Sequence, residues 1–187
     1  MIFKGRAWRA HDPRWSFDPV SGKGAAISGG RFNEKGQEAL YLALSPITAI
    51  AECTQGFVSR MMPLTLCEYD VDMADIIDLT DDDTRQVEGV RETDMACSWL
   101  RYNREGKIAP SQKLARGLLK KGYNGAIVPS FVPGIEDDAR NLVLWRWGDR
   151  PLNNVTVFDP DGRLPKKEGD ASKRLNKAAD RGPWRFS

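Results

Sequence analysis

An α+β fold, a β-sheet with flanking helices, is what this 187-residue chain predicts. Short apolar runs of strand type recur near both ends, and segments of helical periodicity lie between them. The two kinds do not alternate as regular βαβ units would require. The length suits one domain with a hydrophobic core of its own.

In chain order, residues 1–28 read as a short first strand and then a long loop. Trp8, Trp15 and Phe17 mix there with Arg6, Arg9 and Arg14, and Pro13, Pro19, Gly22 and Gly24 mark turns. Ala39 to Leu44 is a strand by alternation, with Leu40, Leu42 and Leu44 on one face and Tyr41 and Ala43 on the other. Ser45 followed by Pro46 is a helix start: a capping side chain, then proline at the first helical position. Ile47, Ile50, Ala51, Thr54 and Val58 give that helix its expected buried stripe, and Glu52 lies towards the edge of the stripe. Leu64 to Val71 is the next strand. Thr84 to Arg104 is expected to be helical with Val87, Val90, Met95 and Trp99 inward. Ser111 to Lys121 is a short helix burying Leu114, Leu118 and Leu119, closed by Gly122. Gly125 to Ser130, Asn141 to Trp147 and Asn154 to Phe158 are three further strands. Beyond Leu164 the chain turns polar without a periodic pattern until Trp184 and Phe186, so residues 1–164 are expected to form the domain and 165–187 a basic tail or docked arm.

Composition narrows the function classes. At 41% hydrophobic and 29% charged the chain is ordinary for a globular protein. No apolar run approaches the roughly 20 residues that span a bilayer, and Met1 to Arg6 lacks the apolar core of a signal peptide. The expected compartment is the cytoplasm, with no membrane partner. Cys53, Cys67 and Cys97 are odd in number and widely spaced, which argues against a disulfide framework and against a zinc site. With His11 as the single histidine, Ser-His-Asp, Cys-His and histidine-rich metal chemistries lose their usual basis. Net charge is +2 but uneven: Glu68 to Asp94 holds eleven acids against two bases, and Asp161 to Ser187 eight bases against four acids. The acidic block, either a solvated face or a surface for a basic partner, argues against direct nucleic-acid binding. Asp81-Asp82-Asp83 reads as the acidic start of a helix rather than a metal site.

Gly22-Lys23-Gly24-Ala25-Ala26-Ile27 begins like a dinucleotide fingerprint but carries isoleucine at the third glycine position and lacks the strand–helix context. The candidate chemistry lies further on. Arg31 follows Gly29 and Gly30, a turn from which a guanidinium could fork onto a phosphate; the alternative is a surface ion pair with Glu34 or Glu38. Tyr41 is the polar-tipped residue of an apolar strand, either a core tyrosine with a satisfied hydroxyl or a ring on which a heterocycle stacks. Glu52 follows Ala49-Ile50-Ala51, small neighbours that leave room for a ligand, and acids are seldom buried without a partner. Ser130 ends a strand between Pro129 and Phe131, and Asn141 begins the next beside Arg140.

Taken together, Gly29-Gly30-Arg31-Phe32-Asn33, Ala39 to Glu52 and a strand ending in Ser130 resemble the RES domain family, named for its arginine, glutamate and serine. Gly122-Tyr123-Asn124-Gly125, Ala139 to Leu144 and Asp159-Pro160-Asp161-Gly162-Arg163 extend the resemblance over about Ile2 to Leu164. The polar end beyond Leu164 departs from the family's short ending. The resemblance implies an ADP-ribosyltransferase-like mixed sheet, split around a cleft for NAD, which is consumed as co-substrate without a metal. It further implies the toxin of a toxin–antitoxin pair, neutralised by an Xre-type antitoxin that covers the cleft. Such a toxin either transfers ADP-ribose to a protein acceptor, the reading favoured here, or destroys NAD by hydrolysis or phosphorolysis. On that resemblance Glu52 would stabilise the ribose cation, Arg31 hold a phosphate and Tyr41 stack on nicotinamide. Ser130 would position nicotinamide or ribose, with Asn141 as helper. A non-enzymatic binding module is the competing expectation, motivated by the basic tail and the tryptophan-rich N-terminus.

Overall fold

The inner strands bury both faces, and the alternation of their side chains sorts the core into two layers. The computed structural model describes residues 1–54 and 63–169. Among these, eight strands form one sheet: β1 (Phe3–His11), β2 (Leu40–Ala43), β3 (Thr65–Met73), β4 (Ile76–Asp78), β5 (Gly125–Pro129), β6 (Arg140–Leu144), β7 (Asp149–Arg150) and β8 (Asn153–Val157). The helices are α1 (Lys23–Ser28), α2 (Pro46–Thr54), α3 (Asp82–Glu88), α4 (Glu92–Met95), α5 (Trp99–Arg104) and α6 (Pro110–Lys120).

Strand order is β4-β5-β6-β2-β1-β3-β8-β7. β4 runs parallel to β5, and the other named neighbours are antiparallel, so the sheet is mixed. One junction is unlike the rest. β1 and β3 pair over nine positions, from Phe3 opposite Met73 to His11 opposite Thr65. β1 and β2 meet at the single pair Trp8–Ala43. The sheet therefore forks there into two wings, and the fork is where a cleft can open.

The alternation expected of β2 is present. Leu40, Leu42 and Leu44 join one layer with Leu142, Leu144, Tyr69 and Val71. Ala39 and Tyr41 join the other with Val128, Val143, Leu118 and Met95, and α6 closes that layer. Ser45 caps α2 as its sequence suggests, its Oγ accepting from Thr48 N at 3.0 Å. Asp81 caps α3 in the same way, accepting from Thr84 N at 2.8 Å.

Other expectations are corrected. Thr84 to Arg104 is not one helix but the end of α3, then α4 and α5. Gly89 stops α3 with φ +67° and its N–H on Arg85 and Gln86 carbonyls, and Val87, left on the outer face, is 85% exposed. Val90 and Met95 do turn inward, and Trp99 is half-buried. On α2 the buried residues are Thr48 and Ala49, and Ile47 is 75% exposed, so the helix is rotated from its apolar reading. Val58, Trp184 and Phe186 lie outside the described residues. The first strand is nine residues long, and the following segment holds a 3₁₀ turn (Pro13–Trp15) and α1 rather than loop alone. β4 and β7, three and two residues long, fall below what periodicity can register.

Candidate active site

Where β1 and β2 part, a cavity of about 320 Å³ opens to solvent. Its floor is the sheet: Trp8, Arg9 and Ala10 of β1, Tyr41 to Ala43 of β2, Val128 and Pro129 of β5, and Asn141 and Val143 of β6. One wall is α2, through Ala49, Glu52 and Cys53. The other is the Gly30–Phe32 turn, with Trp99 and Phe131. Residues distant in sequence meet here because β6 lies between β2 and β5 in the sheet.

Glu52 is held at the cavity wall by two donors from the sheet. Ser130 Oγ donates to Glu52 Oε1 at 2.7 Å, and Asn141 Nδ2 donates to the same oxygen. Among the described residues these are the hydrogen bonds to its carboxylate, and both fall on Oε1. Val132 N in turn donates weakly to Ser130 Oγ at 3.4 Å. Ser130 stands just past β5, where its N–H is fixed by the Ala139 carbonyl at 2.9 Å, and Asn141 sits near the start of β6. The hydroxyl expected on the ligand is thus engaged with the glutamate.

Arg31 occupies the facing wall. Its Nη1 donates to the carbonyls of Met95 and Cys97 at 2.9 and 2.8 Å, and its guanidinium carbon lies 4.5 Å from the centroid of Phe131. Burial lowers its pKa from the usual guanidinium value, while the Cys97 thiol, Glu52 and Tyr41 act the other way. It does not pair with Glu34, whose carboxylate meets Arg116 at 3.3 Å.

Tyr41 lines the cavity with its hydroxyl spoken for. The oxygen donates to Asn33 Oδ1 at 2.8 Å and accepts from Phe32 N at 2.9 Å. Burial drives the phenol pKa upwards, so the ring stays neutral. Gly30 has to be glycine here: a Cβ would stand 2.5 Å from Asn33 Oδ1 and 2.6 Å from the tyrosine oxygen. Cys53 also lines the cavity, and burial raises its thiol pKa, against thiolate chemistry at neutral pH.

All five residues singled out in the sequence, Arg31, Tyr41, Glu52, Ser130 and Asn141, therefore gather at this fork. Sequence reasoning passed over Trp8, Trp99 and Phe131 as lining residues and the buried amides of Asn33 and Gln112. For Gln112 a signal existed. Ser111 and Gln112 fall on the same α6 face as Ala115 and Leu118, and uncharged polar residues on an apolar stripe require partners.

A mixed sheet that forks over a cleft lined by an acid and an arginine defines an α+β protein with a solvent-open cavity of substrate size at the fork. The RES domain model matches residues 6–167, and the chain belongs to the RES domain family. No curated protein matches its sequence. Among solved structures, a chain of the crystal structure of the M. tuberculosis MbcT–MbcA toxin–antitoxin complex is similar, at a TM-score of 0.62 and 21% identity. The match covers 85% of this chain and 84% of that one. The described residues include no helix long and apolar enough to cross a membrane.

Proposed function

We propose that this chain consumes NAD, cleaving the nicotinamide–ribose bond at the fork of the sheet, and acts as the toxin of a toxin–antitoxin pair. The observation that carries the reading is the doubly anchored Glu52 carboxylate on the wall facing Arg31. RES membership and the likeness to a chain of a toxin–antitoxin complex support it.

The chemistry follows from the bond that breaks. As C1′–N1 lengthens, its electron pair goes to the nicotinamide nitrogen, discharging the pyridinium, and the ribose carbon becomes oxocarbenium-like. A carboxylate beside that carbon stabilises a charge that exists only in the transition state, and such an interaction raises kcat. Ser130 and Asn141 hold Oε1 by hydrogen bonds, so the carboxylate is oriented before the substrate arrives. Arg31, charged and half-buried, retains donors beyond Nη1 for a phosphate oxygen, and the Tyr41 ring offers a face for the nicotinamide. The nucleophile then bonds to C1′ and loses its proton.

Transfer of ADP-ribose to a protein nucleophile is the principal reading, with an Xre-type antitoxin covering the cleft. Hydrolysis is the second, because the cavity opens directly to solvent and water can reach it. Labelled NAD, incubated with the chain in the presence and absence of cell extract, separates them. A labelled protein band in extract supports transfer. Nicotinamide release without extract supports hydrolysis, and inert NAD under both conditions sinks the enzymatic reading. Suppression of toxicity by co-expressing the neighbouring gene tests the antitoxin.

A further inference from the structure

The turn that presents Arg31 is clamped carbonyl by carbonyl. Gly30 O and Asn33 O both lie on Gln112 Nε2, at 2.9 and 3.1 Å, with Asn103 Oδ1 a third acceptor at 3.0 Å, and Asn33 O also accepts from Gly30 N at 3.0 Å. Arg31 O accepts from Ser111 Oγ at 2.6 Å, and Phe32 O accepts from Trp145 Nε1 at 2.8 Å. Each carbonyl of the four-residue turn thus has a side-chain donor within reach, from α6 or from Trp145, the residue that follows β6. On the inner side Asn33 Nδ2 reaches the carbonyls of Ala25, Glu34 and Gln37, while its Oδ1 takes the Tyr41 hydroxyl. Gln112 is 2% exposed and Asn33 0%, so neither amide can trade these bonds for water.

The turn is itself buried, with Arg31 alone half-buried, so its carbonyls have no water to bond and require partners from the protein. What sets this turn apart is the source of those partners: they are side chains of α6 and Trp145 rather than one neighbouring strand, so the turn is tied to two separate elements and its geometry is fixed by both. What this geometry fixes is the Arg31 guanidinium, already limited on one edge by two carbonyls and on one face by Phe131.

We infer that Gln112, Ser111 and Trp145 are positioning residues that hold Arg31 ready for the phosphate of its substrate, through a backbone clamp rather than any contact with the ligand. The inference rests on the NAD reading for the identity of that substrate, but the clamp itself is independent of it. Because a phosphate contact made equally in ground and transition states contributes to binding alone, loosening the clamp raises KM and spares kcat.

Two variants from different elements test this in the full chain: Gln112→Met, which keeps length and deletes the amide, and Trp145→Phe, which deletes one indole donor. Amide hydrogen exchange is read at Gly30 to Asn33 and at the β5–β6 pair, alongside NAD kinetics at a temperature where each variant is folded. The clamp predicts exchange in the turn faster by at least about tenfold in both variants, with β5–β6 unchanged. It also predicts KM for NAD raised roughly tenfold or more, with kcat within about twofold. Unchanged exchange in the turn, or a uniform rise across the sheet, overturns the clamp. Faster exchange with KM unmoved and kcat reduced overturns the positioning of Arg31. Should the wild-type chain leave NAD intact, the NAD reading fails by itself and the exchange arm still decides the clamp.

Discussion

At the scale of single residues, Glu52 and Arg31 should fail in different ways. Glu52→Gln keeps the size and loses the charge, so kcat should fall at least about a hundredfold while KM changes little. Arg31→Lys loses the planar fork and its stacking on Phe131. A hydrogen bond to a charged group is worth about 1.5–3 kcal/mol, so KM should rise roughly 10- to 100-fold, readable from initial rates across NAD concentrations. His11 makes a stability prediction. Its Nε2 lies 3.1 Å from Ser16 Oγ, and burial, aided by Arg9 and opposed by Asp12, lowers its pKa from 6.5 to about 4. Between those values the unfolded chain binds a proton that the native chain refuses, so stability is intact above pH 6.5 and falls as pH drops towards 4. Urea midpoints at pH 7 and pH 5 should show a loss of about 1–2 kcal/mol after solvent screening, and His11→Asn should remove that component. The five candidate residues were legible in the sequence because each breaks a local pattern: an arginine after two glycines, a phenol in an apolar strand, an acid behind small residues, polar groups at strand ends. Asn33 breaks no such pattern, since the carbonyls and the phenol it meets are brought together only by the fold, and Gln112 shows only as an uncharged polar residue on the apolar stripe of α6.

At the scale of elements, the site depends on how α2 and the Gly30 turn are seated. Ser45→Ala removes the cap of α2 and should cost about 1 kcal/mol in a denaturant titration. Gly30→Ala should cost more and also lower NAD affinity, because the added Cβ collides with both Asn33 and the Tyr41 hydroxyl. Gly125→Ala is the control: its Cβ would stand 2.5 Å from Val143 O in the β5–β6 pair, so it should destabilise the sheet without a selective effect on KM. Strand and helix starts with chemical markers, such as Ser45-Pro46 and Asp81, were readable from sequence. The extent of the helical region after Thr84 was not. Its apolar spacing runs through Gly89 and hides a break that a left-handed residue makes, and Val87 fits the spacing while facing solvent.

At the scale of the whole molecule, the single-pair junction of β1 and β2 makes the sheet two wings around one site. The α+β class was legible, since strand runs at both ends of the chain bracket the helices. The fork was not readable from residues one by one, because it is a property of register between strands that residues 12–39 separate, and only the family resemblance implied it. The central claim is that the carboxylate at this fork breaks NAD. Nicotinamide release by the full wild-type chain, measured beside Glu52→Gln of equal thermal stability, tests it most directly. The account predicts release by the wild type and at least a hundredfold less by the variant. Equal release by both, or none by either, would contradict it.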